Sequence, residues 1–212
     1  ARGGAEVTRM TTLWLVRHGV TSHTGHKLSG WMPDVHLTEE GRAQADAAAE
    51  LLSRIELEAV YSSPIDRTRE TAAAIAARQG LPVRTRRTVG EVEYGKWTNR
   101  SLKVLARQKL WGLVQRWPSA ARFPDGETLR EVQSRALDEV EKIAEQHPRG
   151  PVCIVSHGDV IKLVLAHFLG VHIDLFQRIV VAPGSVSGIA LLTDGPRVLS
   201  VNVSPALLAR SG

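Results

Sequence analysis

The chain has 212 residues, of which 43% are apolar and 23% charged, and a net charge of +5. This is enough for one domain with a sizeable core, and the composition is that of a globular protein. No apolar run approaches the roughly 18–20 residues that span a bilayer, and the arginines are scattered rather than interleaved with aromatics, so neither a membrane nor a nucleic-acid partner is expected.

Residues 1–10, ARGGAEVTRM, have basic side chains but no apolar h-region. They read as a disordered leader, with Met10 a candidate start. A single domain is expected over 11–204, followed by a tail over 205–212. The apolar run at 12–16 predicts a short buried strand, and it ends abruptly in Arg17-His18-Gly19. Residues 37–55 predict a helix with Thr38 as N-cap and Glu39 and Glu40 in its first turn, where they favour the helix dipole. A second strand at 58–63 stops at Pro64. A helix over 66–80 follows and ends at Gly80, a suitable C′ residue. A third short strand at 83–86 leads into GEVEYGKW (90–97).

The segment 98–125 has the weakest pattern. Leu102, Leu105, Leu110 and Leu113 suggest helices forming a small cap, and RFPDGE marks a loop. A long helix should follow, opened by a capping box of Thr128 and Glu131, with Leu129, Val132, Ala136, Val140 and Ile143 on one face. GPVCIVSHG (150–158) repeats the opening pattern of an apolar strand ending in His-Gly. A helix over 159–169 and a closing hairpin of 186–193 with 197–203 complete the chain. The lone cysteine, Cys153, falls inside a buried-strand pattern. It excludes an internal disulfide, fits a reducing compartment such as the cytoplasm, and reads as a packed thiol.

Alternating strands and helices predict an α/β fold with a mostly parallel sheet, and ligands in such sheets bind beyond the carboxyl ends of the strands. Three polar groups fall there: Arg17-His18-Gly19, Ser62-Ser63-Pro64 with Arg67 behind it, and Ser156-His157-Gly158. Two arginines and two histidines offer many donors and little that ligates a hard cation. Arginine forks and a helix N-terminus suit phosphate, and a histidine beside them is a proton shuttle, a ligand or a nucleophile. Nearby, Glu91 and Glu93 are both candidate acids. Their i, i+2 spacing puts them on one face of an extended segment, so periodicity does not choose between them.

Arg17-His18-Gly19 with Thr21 resembles the R-H-G-x-T signature of the histidine phosphatase superfamily, in its phosphoglycerate-mutase-like branch. LSGWMPDVHLTEEGRAQA (28–45), VYSSPIDRTRET (60–71), GEVEYGKW, FPDGET (123–128) and IVSHGDVI (154–161) are similar to the family's further motifs, in the family's order. The resemblance implies a three-layer α/β/α sandwich. It also implies a phosphatase that needs no metal or other cofactor and acts on a small phosphorylated metabolite through phosphohistidine. His18 would be the nucleophile, Arg17, Arg67 and His157 the phosphate pocket, and Glu91 the proton donor. Thr21, Thr24 and the backbone at Gly30 would line the site. Many members have asparagine where Thr24 stands, and the shorter threonine leaves that contact to water. Trp97-Thr98-Asn99 departs from the family's W-[ED]-G.

A phosphoglycerate mutase is the nearest alternative, but 98–122 is short for the long basic insertion that mutases use. A non-catalytic phospholigand-binding protein on the same fold is the other. A homodimer is compatible with the sequence. His23, His26 and His36 read as loop and mouth residues rather than zinc ligands. Trp31, Trp97, Trp111 and Trp117 read as packing or pocket walls, and His147, His167 and His172 as surface or helix-end residues.

Overall fold

The computed structural model describes residues 10–204; the rest of the expected leader and the tail fall outside the described residues. Met10 itself belongs to the first strand, whose backbone pairing begins two residues before the apolar run suggests.

The elements in chain order are β1 (Met10–Arg17), α1 (Glu39–Leu52), β2 (Ala59–Ser62), α2 (Asp66–Gln79), β3 (Val83–Thr85), α3 (Leu102–Leu105), α4 (Lys109–Arg116), α5 (Leu129–Gln146), β4 (Pro151–Ser156), α6 (Gly158–Phe168), β5 (Val186–Leu192) and β6 (Gly195–Val203). They form one six-stranded sheet in the order β3-β2-β4-β1-β5-β6. The pairings among β1 to β4 are parallel, and β5 and β6 add an antiparallel edge. The fold is thus an α/β sandwich with a mostly parallel central sheet. Among the described residues no helix is long and apolar enough to cross a membrane.

The strand alternation builds three layers. Leu13 and Leu15 of β1, Ala59 and Tyr61 of β2, and Val152 and Ile154 of β4 face one core, with α5 and α6. Val16, Val60, Cys153 and Val155 face the other, with α1 and α2. Successive side chains of a strand point to opposite faces, so one short strand feeds both cores. α5 buries one stripe, Leu129, Val132, Ala136, Val140 and Ile143, and begins with the expected Thr128–Glu131 capping box. Thr38 caps α1 by accepting from the Gly41 amide. Gly80 ends α2 in the left-handed conformation, φ 64°.

Register places the functional end. Arg17 pairs with Ser156 and Ser62 with Val155. His18, His157 and Ser63 therefore leave three neighbouring strands at the same level. Two glycines make the approach of α1 possible. A Cβ at Gly19 would lie 2.2 Å from the Gly41 carbonyl oxygen, and one at Gly41 would lie 2.1 Å from that of Val20.

Candidate active site

A pocket of about 180 Å³ opens at the carboxyl ends of β1 and β4. Arg17, His18, Thr21, Thr24, Glu91 and Tyr94 line it, together with Gly158 at the start of α6. Arg67 and His157 lie against its base and are 1% and 0% exposed. The three strand-end groups thus meet at one place.

His18 is fixed by two partners of opposite kind. Its Nδ1 lies 2.7 Å from the Gly19 carbonyl oxygen, and its Nε2 lies 3.2 Å from Arg67 Nε. A carbonyl only accepts and a guanidinium only donates, so Nδ1 holds the proton and Nε2 presents a lone pair. Burial, then the charges of Arg67 and Arg17, push the imidazole well below its ordinary pKa. The ring is therefore neutral at physiological pH, with the Nε2 lone pair facing Arg67.

Arg67 is the largest fully buried side chain among the described residues. Its Nη2 donates to the Gly30 carbonyl oxygen at 2.9 Å and lies 3.2 Å from His157 Nδ1. His157 Nε2 lies 2.9 Å from Ser63 Oγ, which ties the base of the pocket back to β2. Arg17 donates from Nη1 to the Val181 carbonyl oxygen at 2.7 Å. Burial lowers the pKa of both guanidinium groups, against the pull of nearby carboxylates. Arginine does not give up its proton in proteins, so both remain cations. Arg17 Nε and Arg67 Nη1 are buried without a hydrogen-bond partner. Two donors facing away from water beside a histidine fit an oxyanion. Gly158 matters here because a Cβ at that position would lie 3.1 Å from Arg17 Nε.

The geometry separates the two glutamates. Glu91 Oε2 is 3.6 Å from His157 Nδ1 and 3.8 Å from Arg67 Nη2, while Glu93 turns outward to Arg87. The reason is that 91–94 is irregular backbone rather than a strand, so the i, i+2 rule does not apply. Burial pushes the Glu91 carboxyl up to about 7, against the Arg67 charge, which lowers it. The backbone of Glu91 is clamped. Its carbonyl oxygen accepts from Trp31 Nε1 at 2.6 Å and from Arg135 Nη2 at 2.9 Å. Arg135 also holds the Thr88 and Gly90 carbonyls and pairs with Glu127.

Several sequence expectations need adjusting. Gly30 is buried and orients Arg67 through its carbonyl; Ser29 lines the wall instead. Thr24 accepts from the Thr21 amide at 3.0 Å, which braces the loop after β1. Trp117 is 58% exposed, because α4 ends there, so it is not a packing residue; Trp97 is buried as expected. His147 does sit at the end of α5 but is buried, 8% exposed, because Glu58 and Tyr61 draw the ring inward. His36 turns from the mouth toward Glu70 on α2. With Asp34 and Asp66 it forms an exposed group whose ligand-type atoms lie within 4.8 Å of one another, outside the pocket. Lys27, Asp159 and Lys162 also line the pocket. The i, i+3 spacing of Asp159 and Lys162 after the His-Gly pair is the only sequence signal that could have found two of them.

An α/β sheet that gathers two histidines, two arginines and a carboxyl raised to about 7 at its strand ends fits the binding of a phosphate group. Residues 13–204 match the histidine phosphatase superfamily (branch 1), and the chain belongs to that family. It is 31% identical over 170 residues to phosphoserine phosphatase 1 of Hydrogenobacter thermophilus, covering 79% of this chain and 80% of that protein. It is 33% identical over 177 residues to the glucosyl-3-phosphoglycerate phosphatase of Mycolicibacterium vanbaalenii, covering 78% and 77%. Among solved structures, a mycobacterial glucosyl-3-phosphoglycerate phosphatase in complex with VO3 superposes with a TM-score of 0.82 at 26% identity, covering 91% of this chain and 99% of that one.

Proposed function

We propose that this protein is a metal-independent phosphatase that hydrolyses a small phosphorylated metabolite through a phosphohistidine. The observation that carries the reading is the tautomer of His18: Nδ1–H is held on a carbonyl, so Nε2 carries the lone pair that can attack phosphorus. Nε2 attacks phosphorus, the bond to the leaving oxygen breaks, and Glu91 gives its proton to that oxygen. Water then attacks the phosphohistidine, Glu91 takes a proton from it, the P–N bond breaks and Nε2 regains its lone pair. Arg17, Arg67 and His157 hold the phosphoryl oxygens, and charge-assisted bonds there stabilise the transition state in the way a metal does in other phosphoryl-transfer enzymes. The kinship to named phosphatases and the vanadium-oxide complex of one of them support the reading. The two short helices of 98–125 form a cap beside the mouth, and the enzyme works in the cytoplasm.

The test is a panel of phosphorylated metabolites assayed for hydrolysis and, with 3-phosphoglycerate, for isomerisation, before and after dialysis against EDTA. Hydrolysis that survives EDTA and is inhibited by vanadate is expected. Fast isomerisation with negligible hydrolysis would make the protein a mutase. Activity restored only by added Mg²⁺ or Zn²⁺ would overturn metal independence. Tight phosphate binding without turnover would leave a binding protein.

A further inference from the structure

The residues assigned to the phosphoryl group line only part of the pocket. Its outer wall has two lysines from different elements. Lys27 lies on the loop after β1, and Lys162 lies on the first turns of α6. Neither is used in the chemistry above. We propose that they form a second anion subsite, so that the preferred substrate is a small phosphomonoester whose leaving alcohol has a negative charge of its own. This proposal rests on the phosphatase reading and narrows it.

Lys162 is packed in place, while Lys27 is exposed on a braced backbone. The strip 26–28 is laced to 99–102: Leu28 donates to the Arg100 carbonyl at 3.1 Å, Asn99 to the Leu28 carbonyl at 2.7 Å, and Leu102 to the His26 carbonyl at 2.9 Å. Lys27 Nζ rests 3.3 Å from Asn99 Oδ1, a neutral partner that leaves its charge uncompensated. Lys162 Nζ donates to Gln177 Oε1 at 3.0 Å and stands 3.4 Å from Asp159 Oδ1. Its side chain is 18% exposed, so its direction is set by packing rather than by solvent. The one carboxylate of the outer wall, Asp159, also accepts from the Tyr94 hydroxyl at 3.3 Å. Two ammonium groups against one carboxylate leave the outer wall net positive.

The charge distribution of the whole chain points the same way. Residues 98–124 contain six Lys and Arg and no Asp or Glu, while the other 185 residues have 21 basic against 22 acidic side chains. The protein's net positive charge therefore resides in the segment that supplies Leu102 and Asn99 to this wall. A positive rim with low-dielectric walls concentrates small anions at the mouth.

The experiment compares 3-phosphoglycerate, glycerol 3-phosphate and O-phosphoethanolamine, whose leaving groups are anionic, neutral and cationic at similar size. The readouts are kcat/KM and, on His18→Ala protein, the Kd of each ester by calorimetry. The second readout reports on the subsite even if turnover is absent. The anionic ester should be preferred over the neutral one by about tenfold at low salt, and less at high salt. Lys27→Gln and Lys162→Gln should each reduce that ratio about threefold or more. An equal or better response to O-phosphoethanolamine would assign the outer wall to Asp159 and overturn the proposal. So would a ratio that neither lysine substitution changes. Failure of the wild-type protein to hydrolyse any ester, with the Kd preference intact, would overturn the phosphatase reading and leave the subsite standing.

Discussion

The molecule has two buried histidine clusters, one at each end of the sheet. At the amino ends of β2 and β4, His147 Nδ1 meets Glu58 Oε2 at 2.8 Å and Nε2 meets the Tyr61 hydroxyl at 3.0 Å, while Gln146 and Arg84 also reach that hydroxyl. Among the described residues, no buried side-chain polar atom of that cluster lacks a partner. At the carboxyl ends, His18, His157, Arg17, Arg67 and Glu91 gather just as tightly, yet two guanidinium nitrogens have none. There, too, a carboxyl is pushed up to about 7 and two imidazoles well below their usual value. A satisfied polar cluster stabilises a fold. A cluster left with aimed, unpaired donors gives up stability to bind a charged ligand.

The largest contrast should come from paired deletions. His18→Ala is expected to abolish hydrolysis by a factor on the order of 10⁴ to 10⁶ while leaving Tm nearly unchanged, because it removes a desolvated ring next to two cations. His147→Ala should do the reverse. It should cost about 2 kcal/mol, roughly 4–8 °C in Tm, with kcat/KM close to that of the parent. Thermal melts and steady-state assays on both variants check this, and a large activity loss in His147→Ala would erase the distinction between the two ends.

Next in size is Glu91→Gln. A general acid matters most for a strongly basic leaving oxygen, so hydrolysis of an alkyl phosphate should fall about 10² to 10⁴-fold and that of p-nitrophenyl phosphate much less. Glu93→Gln should affect both mildly and equally, since that carboxylate faces solvent beside Arg87. The pH profile sharpens the test. With protonated Glu91 as the proposed acid, kcat/KM for the alkyl ester should decline as pH rises through about 7, and the variant should lose that limb. Stability follows the same sign. A carboxyl whose folded pKa is raised binds more protons folded than unfolded, so stability falls between its ordinary 4.5 and about 7, by up to about 3 kcal/mol. Glu91→Gln should therefore raise Tm above pH 7 and change it little at pH 4.5.

Arg135→Gln tests the clamp behind Glu91. Its guanidinium holds three backbone carbonyls and touches neither substrate nor His18. Loss of alignment should lower kcat for the alkyl ester about tenfold while leaving p-nitrophenyl phosphate within about twofold. Equal losses on both esters would indicate general destabilisation instead.

Much of this site could be read from the sequence because its parts lie where apolar strands stop: Arg17 at the end of β1 and His18 after it, Ser63 after β2, His157 after β4. The strand pattern fixes both the residue and the end of the sheet on which it falls. Glu91 was harder, since the backbone at 91–94 is irregular and only tertiary clamps from Trp31 and Arg135 decide which glutamate turns inward. Lys27 is not legible as a pocket residue, and Lys162 has only its spacing from Asp159 behind the His-Gly pair as a signal. Their placement depends on the lacing of 26–28 to 99–102 and on Gln177, contacts between residues that share no local periodicity. His147 does cap the end of α5, as its position suggests, but its burial is not legible: nothing near it in sequence announces Glu58 or Tyr61.

The central claim is that His18 Nε2 takes the phosphoryl group, and the most direct measurement is rapid quench with ³²P-labelled substrate followed by peptide mapping. An acid-labile, base-stable adduct should appear within one turnover, map to the peptide containing His18, and vanish in His18→Ala. An adduct that persists in His18→Ala, or maps to His157, would contradict the account.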